Sequence, residues 1–231
     1  NESPMKIGIL QTGHVPKNLI PENGDYSEIF ARFLQGQGLS FDSYAVVDGQ
    51  FPPGADAAQG WLITGSKFGA YENLHWIMPL EDLIREIYAA HIPMIGVCFG
   101  HQIIAQALGG RVEKFAGGWA VGAQDYVLNG MNVTLNAWHQ DQVVARPHDA
   151  QVVSSTGFCE NAALLYGNRA FTLQPHPEID RTYLKGLLDT RAPGVVPEPL
   201  QRDALSRLND PTDSARLADM FALFFKEKRI A

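Results

Sequence analysis

The chain has 231 residues, of which 45% are hydrophobic and 19% charged, as is usual for a globular protein with a substantial core. Its net charge of −7 argues against non-specific binding to nucleic acid or an anionic membrane, because both need basic patches. The apolar runs are far shorter than the roughly 20 residues that span a bilayer, and no targeting leader is visible. Two cysteines, Cys98 and Cys159, make no disulfide framework, which fits a cytoplasmic protein.

Predicted strands and helices alternate in the first half of the chain. Residues 1–4 precede Met5, a reasonable native start, and are left out of the predicted fold. Short apolar or alternating runs predict strands at residues 5–11, 41–47, 61–64 and 93–97. Apolar residues at helical spacing predict helices at residues 25–35, 74–90 and 103–108. This alternation predicts a parallel, doubly wound sheet.

The second half begins with short β-prone runs separated by Gly, Asn and Asp. These runs, predicted to extend the sheet with antiparallel or mixed strands, lie at residues 112–115, 124–128, 132–135 and 151–154. A hairpin around Gly167-Asn168 and a helix at residues 179–188 follow. After a proline-rich stretch, two amphipathic helices are predicted, the second at about residues 214–227. We therefore expect one domain over residues 1–231, of which about 189–231 form a C-terminal helical extension.

The strand at residues 93–97 runs into the sequence Gly96-Val-Cys98-Phe-Gly100. A sharp strand-to-helix turn of this kind presents a nucleophile above a sheet. Gly96 and Gly100 suit the turn, because a β-carbon at either position would crowd the strand against the helix. The N-terminus of the following helix directs its partial positive charge at the sulfur, which favours the thiolate. Cys98 is thus predicted to be a nucleophile, and the alternative is a buried structural cysteine.

A nucleophilic cysteine needs an oriented base, and the segment Pro175-His176-Pro177-Glu178 offers one. In an extended segment the side chains at i and i+2 share a face, so Glu178 can reach the imidazole and fix its tautomer. The alternative is a surface loop with an incidental His and Glu. His101 is a rival base, but beside Cys98 on the turn it should point away and pack at the helix N-terminus. Cys159 is predicted to be inert.

The motifs Gly-Val-Cys98-Phe-Gly-His-Gln102 and His176-Pro-Glu178 together resemble the class I, triad-type glutamine amidotransferase family over roughly residues 6–188. The resemblance implies a flavodoxin-like three-layer α/β sandwich, with a mainly parallel sheet between helices and a mixed or antiparallel extension. It implies that Cys98 attacks the γ-amide of glutamine or a related γ-glutamyl compound, and that water hydrolyses the resulting γ-glutamyl thioester. Cys98, His176 and Glu178 would be the catalytic residues. The backbone N–H groups of Gly65 and Phe99 would form the oxyanion hole.

The same resemblance implies a set of substrate-binding residues. Gln102 would line the pocket for the glutamine side chain, and residues 117–122 and 138–143 look like the substrate loops of the family. The full set is Ser66, Gln102, Gly118, Trp119, His139, Gln140 and Asp141. His139 is not expected to bind a metal, because no second His or Cys stands at ligand spacing, and no cofactor is expected. Tyr71, Glu72 and Trp76 either wall the leaving-group side or pack at the start of a helix.

The chain departs from the biosynthetic members of the family, because no phosphate loop or ATP-activating module follows residue 188. It looks closer to stand-alone guanylate-synthase-like (GMP synthase-like) amidotransferase proteins and to γ-glutamyl peptidases. Three hypotheses stay open: an autonomous hydrolase of γ-glutamyl amides or peptides, a glutaminase subunit that passes ammonia to a separate synthase, and a non-catalytic ligand-binding or sensing protein. The expected partner is a small γ-glutamyl molecule such as glutamine, with neither nucleic acid nor membrane.

Overall fold

A computed structural model describes residues 3–231, and its secondary structure follows the predicted alternation. The strands are β1 (Met5–Leu10), β2 (Leu39–Tyr44), β3 (Gly60–Ile63), β4 (Met94–Val97), β5 (Arg111–Lys114), β6 (Ala120–Leu128), β7 (Met131–His139), β8 (Asp141–Ala145), β9 (Gln151–Ser154), β10 (Ala163–Tyr166) and β11 (Ala170–Leu173). The helices are α1 (Ile20–Asn23), α2 (Tyr26–Phe33), α3 (Ile77–Ala89), α4 (Phe99–Ala107), α5 (Arg181–Thr190), α6 (Glu198–Ser206) and α7 (Ser214–Glu227). No helix within residues 3–231 has both the length and the apolar character that a membrane crossing requires.

Seven of the strands form one sheet in the order β2-β1-β3-β4-β11-β10-β9. The five strands from β2 to β11 are mutually parallel, while β10 and β9 continue the sheet in antiparallel pairing. The mainly parallel α/β sheet with an antiparallel extension confirms the predicted fold class. Because β1, β3, β4 and β11 run in one direction, their carboxyl ends lie at the same edge of the sheet, where ligands bind in folds of this kind.

Helices cover both faces of the sheet, since strand side chains alternate between the two faces. Trp61 and Ile63 of β3 are fully buried in a core that α3 and α4 share. Leu62, between them, is buried in a second core together with α2 and α7. In that second core the ring of Phe221 in α7 packs edge-on against Phe171 of β11, with ring centroids 6.0 Å apart. The amphipathic C-terminal helix is therefore covered within the chain.

The structure corrects three details of the predicted secondary structure. The helix after Cys98 begins at Phe99 and not at residue 103, because the tight turn leads directly into helical backbone. Of the β-prone runs between residues 112 and 154, only Gln151–Ser154 joins the main sheet; β5 pairs with β8 and β6 with β7 in two separate sheets. The predicted loop at residues 138–143 consists instead of the end of β7 and the start of β8, joined at Gln140.

The two glycines of the turn let helix α4 approach the backbones of strands β3 and β4 closely. A β-carbon on Gly96 would lie 2.6 Å from the carbonyl carbon of Gly100, and one on Gly100 would lie 2.2 Å from the carbonyl oxygen of Ile63. Both distances are far inside van der Waals contact, and the atoms they meet are backbone atoms that cannot rotate away. Cys98 between them has φ = +55°, a conformation that non-glycine residues seldom adopt.

Gly100→Ala is therefore expected to lower the free energy of unfolding by about 1–3 kcal/mol, the usual cost of overpacking a filled core. Urea denaturation followed by circular dichroism would measure the change. Gly157→Ala is the matched control, because a β-carbon on Gly157 meets nothing within 4 Å and its φ is not positive. Equal urea midpoints for the two variants would show that stability does not depend on the close backbone approach at Gly100.

Candidate active site

Three strands deliver the predicted catalytic groups to one edge of the sheet. Gly65 follows β3, Cys98 follows β4, and the segment that carries His176 follows β11. A β-carbon placed on Gly65 would lie 3.1 Å from Cε1 of His176 and 3.9 Å from Cβ of Cys98. The imidazole, the sulfur-bearing side chain and the glycine loop, distant in sequence, thus share one small volume.

Cys98 is the N-cap residue of α4, and only 7% of it is exposed. Its Sγ lies 3.7 Å from the carbonyl oxygen of Trp138, to which a thiol would donate. The Nε2 amide of Gln174 donates to the same sulfur at 3.5 Å. These two contacts fix the position of the sulfur at the start of α4.

His176 and Glu178 form a buried pair, as their i, i+2 spacing predicts. Nδ1 of His176 lies 2.8 Å from Oε2 of Glu178, and the two side chains are 9% and 2% exposed. The extended segment that carries both residues forms hydrogen bonds with elements on either side of it. The backbone N–H of His176 donates to the carbonyl oxygen of Asn136 in β7 at 2.8 Å, and the hydroxyl of Ser214 at the start of α7 donates to the carbonyl oxygen of Pro177 at 2.7 Å.

Among the three buried imidazoles near the sulfur, only His176 is suited to carry a charge. Burial alone would lower the pKa of His176, but the Glu178 carboxylate and the Cys98 sulfur raise it well above 6.5. Burial lowers the pKa of His139 to about 3, and the neighbouring His176 adds to this shift. Burial and the neighbouring His139 likewise lower the pKa of His101 to about 3, so both of these rings stay neutral.

The rival base His101 packs as the sequence indicates. It is fully buried in α4, and its Nδ1 lies 2.8 Å from the hydroxyl of Thr172 in β11. That contact joins the helix to the sheet. Cys159 is also buried, and burial, together with the nearby Cys98, raises its pKa to about 12, which keeps the thiol protonated and unreactive. Within residues 3–231, no three His, Cys, Asp or Glu side chains are close enough to share a metal ion.

The two predicted oxyanion donors belong to residues close to Cys98, one directly after it in the chain and one in the loop after β3. Phe99 is the first residue of α4, so its N–H has no partner inside the helix. The N–H of Gly65 donates to no group within residues 3–231. The hydroxyl of Thr12, at the end of β1, lies 2.9 Å from the carbonyl oxygens of both Thr64 and Gly65 and so fixes the orientation of this loop. Neither N–H group thus has a hydrogen-bond partner within residues 3–231.

A cavity of about 560 Å³ opens beside Cys98. Six of the seven predicted substrate-binding residues line it: Ser66, Gln102, Trp119, His139, Gln140 and Asp141. Gly118 lies in the turn before β6 with φ = +99° and does not line the cavity, although its neighbour Trp119 does. The Gln102 amide donates to the carbonyl oxygen of Asp141 at 2.9 Å and to Oε1 of Gln174 at 3.1 Å. Because Gln174 also donates to the sulfur of Cys98, these bonds connect the cavity wall to that sulfur.

The residues that follow the Gly65 loop lie partly in the cavity wall and partly in the hydrophobic core. Tyr71 and Glu72 line the cavity, and the Tyr71 hydroxyl donates to Oδ1 of Asp141 at 3.0 Å. Burial and this hydrogen bond raise the pKa of Tyr71 to about 12. Trp76 instead lies in the core, with its ring 5.6 Å from that of Phe99. Packing is thus the role of Trp76, while Tyr71 and Glu72 can contact a ligand.

Sequence reasoning missed several residues of this site. Gln174 and Thr12 are polar side chains at the ends of apolar strands, a position that could have flagged them, and both are almost completely buried. The cations Lys67, Lys114 and Arg191 also line the cavity. They carry no motif, and only the folded chain brings them together.

Comparisons with known proteins agree with this geometry. The family model described as "Glutamine amidotransferase class-I" matches residues 67–187. "Gamma-glutamyl peptidase 4" of Arabidopsis thaliana is 30% identical over 182 residues, which cover 72% of each protein. "GMP synthase [glutamine-hydrolyzing]" of Aeropyrum pernix is 36% identical over 188 residues, which cover 78% of this chain and 33% of that enzyme.

Solved structures share the fold across almost the entire chain. A glutamine amido transferase from Methylobacillus flagellatus superposes with a TM-score of 0.74 at 19% identity, covering 99% of this chain and 94% of that one. A glutamine amidotransferase from Thermotoga maritima gives a TM-score of 0.72 at 21% identity, covering 99% of both chains. The sequence matches, together with the shared fold, show that the chain belongs to the class I glutamine amidotransferase family.

Proposed function

We propose that this protein is a stand-alone hydrolase that cleaves the γ-amide bond of glutamine or a related γ-glutamyl compound with a Cys98-His176-Glu178 triad. The observation that carries the proposal is the placement of the buried His176–Glu178 pair beside Cys98, at the edge of the sheet where the cavity opens. The names of its relatives support it, because γ-glutamyl peptidases and glutamine-hydrolysing GMP synthases act on such bonds.

In the first half-reaction the Cys98 thiolate attacks the γ-carbonyl carbon, and the oxyanion accepts hydrogen bonds from the N–H groups of Gly65 and Phe99. Because Nδ1 of His176 is bonded to Glu178, the other ring nitrogen, Nε2, transfers the proton. The tetrahedral intermediate collapses, the C–N bond breaks, and the imidazolium protonates the departing amine or ammonia. A γ-glutamyl thioester and a neutral imidazole remain.

In the second half-reaction the neutral His176 accepts a proton from water, which attacks the thioester carbonyl. The C–S bond breaks and glutamate leaves. The thiolate and the imidazolium are then restored. The enzyme therefore ends the cycle with the same number of protons that it had at the start. Glu178 keeps Nδ1 as the bonded nitrogen throughout and balances the positive charge of the ring.

A glutaminase subunit that delivers ammonia to a separate synthase is the second candidate. It is favoured by the match to one subunit of a glutamine-hydrolysing GMP synthase from Sulfolobus acidocaldarius, 26% identical over 187 residues that cover 77% of this chain and 92% of that one. The two candidates share one chemistry and differ in turnover without a partner. A non-catalytic binding protein would gain nothing from a buried imidazole–carboxylate pair beside a cysteine, so we rank it last.

Acid-quenched mass spectrometry of the protein mixed with a panel of γ-glutamyl compounds tests the proposal. We expect a γ-glutamyl adduct on the peptide that contains Cys98, and the donor that forms it fastest indicates the substrate class. Turnover by the isolated chain would favour the stand-alone hydrolase, while stimulation by a purified synthase would favour the second candidate. No adduct with any donor, together with no released glutamate, would reject both.

A further inference from the structure

Arg191 is a cation in the cavity wall without an anionic partner. It follows α5, is half-buried, and lines both the 560 Å³ cavity and a smaller one of about 40 Å³ whose walls include Cys98, His176 and Glu178. Within residues 3–231, no carboxylate oxygen lies within 4.0 Å of its guanidinium. A partly buried charge without a partner is costly, and a ligand anion removes that cost.

The surroundings of Arg191 do not neutralise it. It lies near the phenols of Tyr26 and Tyr183, whose pKa values burial raises and the guanidinium partly restores. Neutral phenols leave the charge uncompensated, and the Glu178 carboxylate is bonded to His176. A cation near the C-terminus of a helix is favourable in itself. The interaction with the helix C-terminus does not, however, require the side chain to line a cavity. Lys185 of the same helix shows the contrast, because it is exposed and forms an ion pair with Asp189 at 2.7 Å.

The charge of the cavity is opposite in sign to that of the chain. Lys67, Lys114 and Arg191 line it, and none of them forms an ion pair with any residue from 3 to 231. Two carboxylates also line it, and each already accepts a hydrogen bond: Glu72 from the N–H of Gly69 and Asp141 from the Tyr71 hydroxyl. A cavity with three cations and two carboxylates, in a chain of net charge −7, favours a ligand with more negative than positive groups.

The proposed mechanism sets which end of the ligand meets Arg191. His176 protonates the departing amine, so that amine leaves on the His176 side of Cys98. Arg191 lines the small cavity on that side, whereas Gln102 and Asp141 line only the large one. Arg191 also lies outside residues 67–187, the part of the chain that the family model matches. It is therefore suited to select among γ-glutamyl compounds and not to hold the glutamyl group that they all contain.

We infer that Arg191 binds a carboxylate of the departing group, and that the substrates are γ-glutamyl amino acids or peptides with a free carboxylate rather than glutamine. This inference rests on the proposed function and deepens it. The planar guanidinium can hold a carboxylate through two parallel hydrogen bonds, a geometry that ammonia as leaving group cannot use. The cavity size agrees, since 560 Å³ lies within the range of about 300–1,000 Å³ that holds larger ligands.

Two substrates that differ only in the leaving-group carboxylate test the inference: γ-glutamyl-alanine and γ-glutamyl-alaninamide. We expect the wild type to prefer the acid in kcat/KM. Arg191→Met should lower the acid-to-amide ratio by about 10- to 100-fold, mainly through KM, because one charge-assisted pair is lost. Arg191→Lys should restore part of the ratio. Lys185→Met, which removes an exposed cation from the same helix, should leave the ratio unchanged.

Two outcomes would overturn the inference. One is a wild type without preference for the acid. The other is an Arg191→Met variant that loses equal activity on both substrates with a shifted pH profile, because the guanidinium would then act through Glu178 and His176. Failure of the proposed function is distinguishable from these, since neither substrate would then acylate Cys98 in the wild type.

Discussion

Replacing Cys98 with alanine is expected to lower kcat for γ-glutamyl hydrolysis by about 10⁴- to 10⁶-fold, as loss of a nucleophile does in other triads. The variant keeps the proposed oxyanion donors, the imidazole and the cavity, but no atom remains that can form the acyl intermediate. The fold should be retained, because the side chain is small and alanine can occupy the same positive-φ position with equal strain. Steady-state release of glutamate measures the loss, and denaturant unfolding checks the fold.

Cys159→Ala is the matched control for this experiment. Cys159 is the other buried cysteine of the chain, and its raised pKa keeps it protonated. Its removal should leave glutamate release near the wild-type rate and should not abolish the acyl adduct. Wild-type turnover in Cys98→Ala would contradict the nucleophile assignment, and so would loss of turnover confined to Cys159→Ala.

Glu178→Gln is expected to lower kcat by about 10²- to 10⁴-fold, in the range found when the third member of a triad is neutralised. The glutamine side chain has nearly the same shape, so the variant isolates the effect of the charge. The carboxylate holds Nδ1 of His176 at 2.8 Å and helps to raise the pKa of that imidazole. Without it the imidazolium beside Cys98 loses its proton at a lower pH, and the ring is free to adopt the other tautomer.

The pH profile of kcat/KM measures the effect of Glu178→Gln on the protonation of His176. The alkaline limb that reports deprotonation of His176 should move to lower pH in Glu178→Gln, while alkylation of Cys98 by iodoacetamide stays measurable. Glu160→Gln removes an exposed carboxylate outside the cavity and should reproduce the wild-type profile. If Glu178→Gln kept both the rate and the profile, Glu178 would have no part in the triad.

The parts of the site that were predictable are those that short sequences encode. The turn at Cys98 depends on two glycines that lie within two residues of it, and the His176–Glu178 contact depends on i, i+2 spacing in an extended segment. Neither needs knowledge of the rest of the fold. Gln174 and Thr12 were missed because their partners, the sulfur of Cys98 and the carbonyl oxygen of Gly65, are 76 and 53 positions away in the chain.

The errors in the predicted fold also come from contacts between segments that are distant in sequence. Alternating runs show that a segment is a strand, but they do not show which strand pairs with it. Alternation alone therefore predicts that the runs at residues 112–115, 124–128 and 132–135 extend the main sheet, whereas the structure places them in two separate sheets. Gly118 was included with its neighbour Trp119 because a turn motif does not show which of its residues faces a cavity. Arg191 lay beyond every motif.

The hydrogen bond from Ser214 to Pro177 ties the segment that carries His176 and Glu178 to the C-terminal helix. Asp213, directly before that helix, also exchanges hydrogen bonds with Thr134 in β7, the strand that supports His176 from the other side. The His176–Glu178 segment is thus held in place by a helix that lies far from both motifs in sequence. Transfer of the two motifs to a scaffold without such a helix would therefore not by itself reproduce the imidazole–carboxylate pair in this position.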